Sequence, residues 1–120
     1  MKILIAEDDE MMLKTMEFKL IREGYEVITC SDGKEALEKI VSENPDLIIS
    51  DIEMPFVSGL DIVNKVKIEL QLDIPIIILS AVGLEKTVLK AFELGTDDFI
   101  TKPFSPNELI VRVKRLLMNK

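Results

Sequence analysis

Five side chains in this sequence could do chemistry together: the carboxylates of Asp8, Asp9 and Asp51, the hydroxyl of Ser80 and the ammonium of Lys102. Each follows a short apolar run. Ile3–Ala6 leads into the acids Glu7 to Glu10, Leu47–Ser50 into Asp51, Pro75–Leu79 into Ser80, and Phe99–Thr101 into Lys102. If the first and third runs are neighbouring strands, three carboxylates meet at one rim and raise one another's pKa unless a cation neutralises them. Oxygen-only ligands without His or Cys favour a hard cation. Mg²⁺ fits best because it needs few protein ligands, with Mn²⁺ as a substitute. A metal, a lysine, a hydroxyl and one carboxylate nucleophile together suit a phosphoryl group.

Taken singly, these residues have plainer explanations. Acids at a helix start complement the helix dipole, an Asp at a strand end is a common turn or cap residue, and Lys-Pro is a common turn. Their joint placement at successive strand ends favours the site. Within the run of four acids, Glu7 and Glu10 are expected to serve only as solvated, helix-start charges.

The elements that must position these groups alternate from end to end. Met12, Leu13, Met16 and Leu20 recur at helical spacing before Gly24. Tyr25–Cys30 reads as a strand, and the helix in "SDGKEALEKIVSENP" ends before Pro45. Ser58 caps a helix with Leu60, Val63, Val66 and Leu70 on one face. "PIIIL" suits a central strand buried on both sides. Leu84–Leu94 reads as a helix stopping at Gly95. Ser105, Pro106 and Glu108 then open a last helix whose inner face is Leu109, Val113 and Leu116. Five strand–helix units predict an α/β domain over residues 1–120, a parallel sheet with helices on both sides and ligands beyond the carboxyl ends of the strands.

Composition narrows the function. The 120 residues make one domain, and a net charge of −7 argues against nucleic-acid binding. No apolar run spans the ~20 residues that crossing a bilayer requires, nor does the N-terminus hold a secretory segment, so a cytoplasmic protein is expected. The one cysteine, Cys30, reads as a core residue, and the absence of histidine removes His triads, His metal ligands and phosphohistidine chemistry within the chain.

The stretches "ILIAEDDE", "DGKEAL", "PDLIISDIEMPFVSGLDI", "PIIILSA" and "GTDDFITKPFSPNEL" resemble the receiver domain of two-component response regulators, the CheY-like fold, in order and spacing over essentially the whole chain. The C-terminal part is most similar to receivers of winged-helix transcriptional regulators. The resemblance implies a doubly wound five-stranded sheet in the order 2-1-3-4-5. By position it makes Asp51 the phosphoacceptor, Asp9 a direct Mg²⁺ ligand, Asp8 a more distant one, and Glu53 a ligand through its backbone carbonyl. Ser80 would bond the phosphoryl group, Lys102 would pair with it, and Pro103 would follow a cis peptide. Phe99 takes the aromatic switch position. Ala81, Glu53 and Val82 stand where the family varies water access, and Val82 cannot orient a water, so slow hydrolysis is expected.

The resemblance further implies a histidine kinase or histidine phosphotransfer protein as donor, and an output partner or domain reading the face of the fourth helix, fifth strand and fifth helix. Asp98 and Arg112 match residues that interlock across a dimer on that face. Val88 and Asn119 stand where basic residues are usual, so a monomer or a weak, phosphorylation-dependent homodimer is expected, as a stand-alone receiver. Two other classes compete. Aspartyl-nucleophile phosphatases place a second Asp two positions after the first, where this chain has Glu53, and no cap domain fits. Flavin-binding proteins of this architecture need a phosphate-cradling loop after the first strand, and "EDDE" is not one.

Overall fold

The computed structural model describes residues 1–81 and 85–118. The chain alternates β1 (Lys2–Ala6), α1 (Glu10–Arg22), β2 (Glu26–Cys30), α2 (Gly33–Glu43), β3 (Leu47–Asp51), α3 (Gly59–Val63, continuing as a π-helical stretch over Asn64–Glu69), β4 (Ile76–Ala81), α4 (Glu85–Glu93), β5 (Asp98–Lys102) and α5 (Pro106–Met118). All pairings are parallel and the sheet order is β2-β1-β3-β4-β5, as the family resemblance implied. Among the described residues no helix is long and apolar enough to cross a membrane.

Because strand side chains alternate between faces, the same strands feed two cores. Ile3, Ile5, Ile49, Leu79 and Ile100 face α1 and α5, meeting Leu13, Met16, Leu20, Leu109, Val113 and Leu117. Leu4, Ala6, Ile48, Ile76 and Ile78 face the other helices, meeting Ala36, Ile40, Ile62, Val66 and Ala91. The strand order reverses between β1 and β3, which opens a crevice at their carboxyl ends.

Two helix faces differ from the sequence pattern. Leu70 is exposed rather than buried. The i→i+5 bonding after Val63 carries later residues out of the 3.6-residue register, so Val66 is the last buried position of that helix. In α5 the buried stripe runs Leu109, Val113, Leu117, with Leu116 at its edge. Leu84 and Val82 lie outside the described residues.

The loop from β3 to α3 is held where the backbone itself is in contact. A Cβ on Gly59 would lie 2.5 Å from the Asp51 carbonyl oxygen and 2.8 Å from the Ile52 Cα. The Gly59 amide donates to the Ile52 carbonyl at 2.9 Å, closing the loop at its base. Gly33, at the start of α2, meets the Val57 backbone in the same way, with no room for a Cβ. Ser58 caps α3 through a reciprocal bond with Asp61. A Gly59→Ala variant should lose about 1–3 kcal/mol of stability, as overpacked sites do, read as a lower urea midpoint with unchanged slope.

Candidate functional site

Strand register builds the site. Ala6 pairs with Ser50, so the residue after β1 stands beside the last residue of β3, and those residues are Glu7 and Asp51. Ala81 pairs with Lys102, which brings the lysine in from β5. Carboxylate oxygens of Glu7, Asp8 and Asp51 all lie within 4.8 Å of one another, an arrangement that could hold a metal ion. The Lys102 ammonium sits 2.9 Å from Glu7 and 3.1 Å from Asp51. Glu7, Asp8, Asp9, Asp51, Ile52, Glu53, Ala81 and Lys102 line an open cleft, with Glu53 exposed on its rim.

The buried member of the acid run is Glu7, only 1 % exposed. Sequence reasoning assigned it to solvent, and the structure corrects that. Its second oxygen accepts from the Asp9 amide at 3.1 Å. Burial pushes its carboxyl up to about 7, with the nearby Asp51 charge adding to the rise and the bonds from Lys102 and the Asp9 amide partly offsetting it. Burial would pull the Lys102 ammonium down, but its bonds to Glu7 and Asp51 more than reverse this and leave it above the ordinary lysine value.

Asp9 is placed differently from the expectation of a direct ligand. It is the N-cap of α1, accepting from the Met12 amide at 3.1 Å. The acids grouped with Asp51 are therefore Glu7 and Asp8, one position earlier than the pair chosen from the sequence. The available signal was the strand end: Glu7 directly follows β1, whereas Asp8 and Asp9 lie beyond it.

The remaining candidates are less closely joined to the carboxylates. Ser80 is buried in β4 and its hydroxyl donates to the Ala81 carbonyl at 3.1 Å. Phe99 is half-buried in β5, its ring edge-to-face with Phe92 at 5.5 Å and 85°. The Lys102–Pro103 peptide is cis. Asp98 is buried and bonds Arg112 at 2.8 Å and Arg115 at 3.1 Å within the one chain.

Residues 3–114 match the family model of the response regulator receiver domain. The chain belongs to that family. This receiver is 42% identical over 116 residues to the alkaline phosphatase synthesis transcriptional regulatory protein PhoP of Bacillus subtilis, covering 97% of this chain and 48% of that protein. It is 47% identical over 115 residues to the response regulator SaeR of Staphylococcus epidermidis, covering 96% and 49%. The receiver thus spans about half the length of these curated relatives. Among solved structures it superposes on the Francisella response regulator 1452 receiver domain with a TM-score of 0.90, 36% identity and coverage of 98% and 97%. On the chemotaxis response regulator CheY4 of Vibrio cholerae the TM-score is 0.88, with 31% identity and coverage of 96% and 97%.

Two outcomes follow from this geometry. Asp8→Asn should abolish Mg²⁺ binding by calorimetry, whereas Asp9→Asn, which exchanges one good cap for another, should leave it within about 2-fold. In metal-free protein, the unfolded chain releases the Glu7 proton near its ordinary value of 4.5 while the folded chain keeps it to about 7. The folded state then binds more protons across that window, so stability falls as pH rises through it and levels off above it. Urea midpoints of Glu7→Gln should lack this component of the fall.

Proposed function

We propose that this receiver is a phosphorylation-dependent signalling switch in which Asp51 accepts a phosphoryl group from a phosphohistidine on a histidine kinase or phosphotransfer protein. The observation that carries the reading is the cluster of Asp51 with Glu7, Asp8 and Lys102 at the carboxyl ends of β1, β3 and β5. No histidine lies in these 120 residues, so the phosphohistidine is supplied from outside this domain. An oxygen of Asp51 attacks phosphorus, the P–N bond breaks, and the electron pair leaves on the donor's imidazole nitrogen. Glu7, Asp8 and Asp51 would hold Mg²⁺, an oxygen-only donor set that suits it, with the Glu53 carbonyl as a further ligand. When bound, Mg²⁺ supplies charge stabilisation to the oxygens of the transferred group.

Lys102 already touches the acceptor carboxylate and would follow its charge outward to the phosphoryl oxygens. Ser80 would turn its hydroxyl from the Ala81 carbonyl toward the new anion, and Phe99 would take the space released, changing the face formed by α4, β5 and α5. New charge-assisted bonds bias this two-state shift. On that face Asp98 already has Arg112 and Arg115 as partners within the chain, which supports a monomer or weak dimer over a strongly interlocked one. The output partner or domain, a cytoplasmic location and slow loss of the phosphoryl group belong to the same reading.

Acetyl phosphate with Mg²⁺ should add one phosphoryl group to the wild-type chain, read by intact mass. Asp51→Asn should abolish the adduct, and Lys102→Ala should slow its formation about 100-fold or more, as removal of a transition-state charge does. Equal labelling of Asp51→Asn would overturn the assignment.

A further inference from the structure

Among the described residues, one aromatic side chain near the acceptor cleft has no packing partner to explain it. Phe56 is 95% exposed, and its backbone φ is +69°. The Val57 amide donates to the Pro55 carbonyl at 2.8 Å, so Phe56 is the central residue of a γ-turn of the positive-φ kind, which is rare and strained. A bulky side chain in that region is a conformational outlier, and such outliers persist where the surroundings over-determine them. Here they do. Met54 and Val57 on either side pack against the core, Val57 lies on Gly33, and Gly59 closes the base of the loop on Asp51 and Ile52. The loop is clamped on both flanks, and its tip carries a phenyl ring into water.

The other positive-φ residues outside glycine are unlike it. Asn44 and Gln71 are polar, and Asn44 terminates α2 in the left-handed conformation that asparagine tolerates. For Phe56, glycine would relieve the backbone and remove exposed apolar surface at once. Among the described residues, no contact offsets the strain or the exposure.

Position supplies the partner. Gly59 packs against the Asp51 carbonyl, and three peptide links from Gly59 to Phe56 reach at most about 11 Å, which places Phe56 within roughly 15 Å of Asp51. A protein that delivers a phosphoryl group to Asp51 must cover the cleft. A standard interface of about 800 Å² per partner centred there has a radius of about 16 Å. The loop tip falls inside that footprint. The rim around it is acidic, with Asp8, Asp9, Glu10 and Glu53 all exposed.

We propose that Phe56 is an anchor for the phosphodonor protein, its ring entering an apolar recess edged by basic side chains on the phosphohistidine-bearing partner. This rests on Asp51 being the acceptor. A rigid aromatic held outward on a fixed loop loses little conformational freedom on docking, which is the character of interface hot spots. Phe56 touches none of the reacting groups, so it acts by holding the donor in place.

The test compares wild type, Phe56→Ala, Phe56→Gly and Phe56→Tyr as acceptors from the autophosphorylated histidine kinase that labels wild type fastest in a survey of kinases, with acetyl phosphate as the small donor. Truncation to Ala should reduce the second-order transfer rate about 10-fold or more through KM, leaving the rate at saturating acceptor within about 2-fold. Labelling by acetyl phosphate should be unchanged, Phe56→Tyr should restore kinase transfer, and Phe56→Gly should melt at or above the wild-type temperature. Wild-type transfer from the kinase by Phe56→Ala would overturn the proposal. So would an equal loss with acetyl phosphate, which would place Phe56 in the site itself, or a change only in self-association on sedimentation, which would make a second copy of the chain its partner. Failure of acetyl phosphate to label the wild-type chain would instead bring down the acceptor assignment.

Discussion

Holding Glu7, Asp8 and Asp51 within 4.8 Å of one another sets like charges against each other, and the Lys102 ammonium between Glu7 and Asp51 is the counter-charge that makes this tenable. Two unit charges about 4 Å apart repel by roughly 4 kcal/mol at the effective dielectric of a protein surface. That is a sizeable share of a small domain's total stability. Two responses are visible. Glu7, the most buried acid, has its carboxyl pushed up to about 7, and Lys102 is held above its ordinary value by its partners. The cleft is thus polarised toward a cation before any arrives, while the lysine can follow negative charge if it moves outward.

The sheet is what forces these groups together. Parallel strands place all their carboxyl ends on one rim, and the reversal of strand order between β1 and β3 leaves that rim uncovered by a crossover. The two-sided core immobilises the strands, since Leu4 and Ala6 face one helical layer and Ile3 and Ile5 the other. The β3–α3 loop extends this rigidity past Asp51. Gly33 and Gly59 are the positions where backbone meets backbone too closely for a side chain. A loop clamped in this way can carry Phe56 in a conformation that a free loop would abandon.

Much of this was legible without coordinates. Apolar runs of four or five residues separated by helical periodicity specify a parallel α/β domain, and the motif resemblance supplied the strand order that the structure has. Asp51 and Lys102 stood out as the charged residues at the ends of the third and fifth runs. Glu7 did not. One residue of uncertainty at a strand end is enough to pass over a buried acid, and Glu7 was passed over while Asp9, which lines the cleft and also caps α1, was chosen. The π-helical stretch was hidden too, because Val63, Val66 and Leu70 fit an uninterrupted α-helix and only the pattern of backbone bonds departs from it.

The sequence by itself determined the family, the fold class and the kinds of group available: carboxylates, a lysine and a hydroxyl, with no histidine. The family rests on the resemblance of its motifs, while the fold class and the available groups follow from local periodicity and composition, which depend on neighbours in the chain. Tertiary structure alone decided which acids share Lys102, that Glu7 is buried, and that Phe56 stands strained and exposed at a clamped turn. Each of these depends on register between strands forty or more residues apart, or on backbone contacts between separate loops. No local pattern encodes such distances, because they exist only once the sheet has closed.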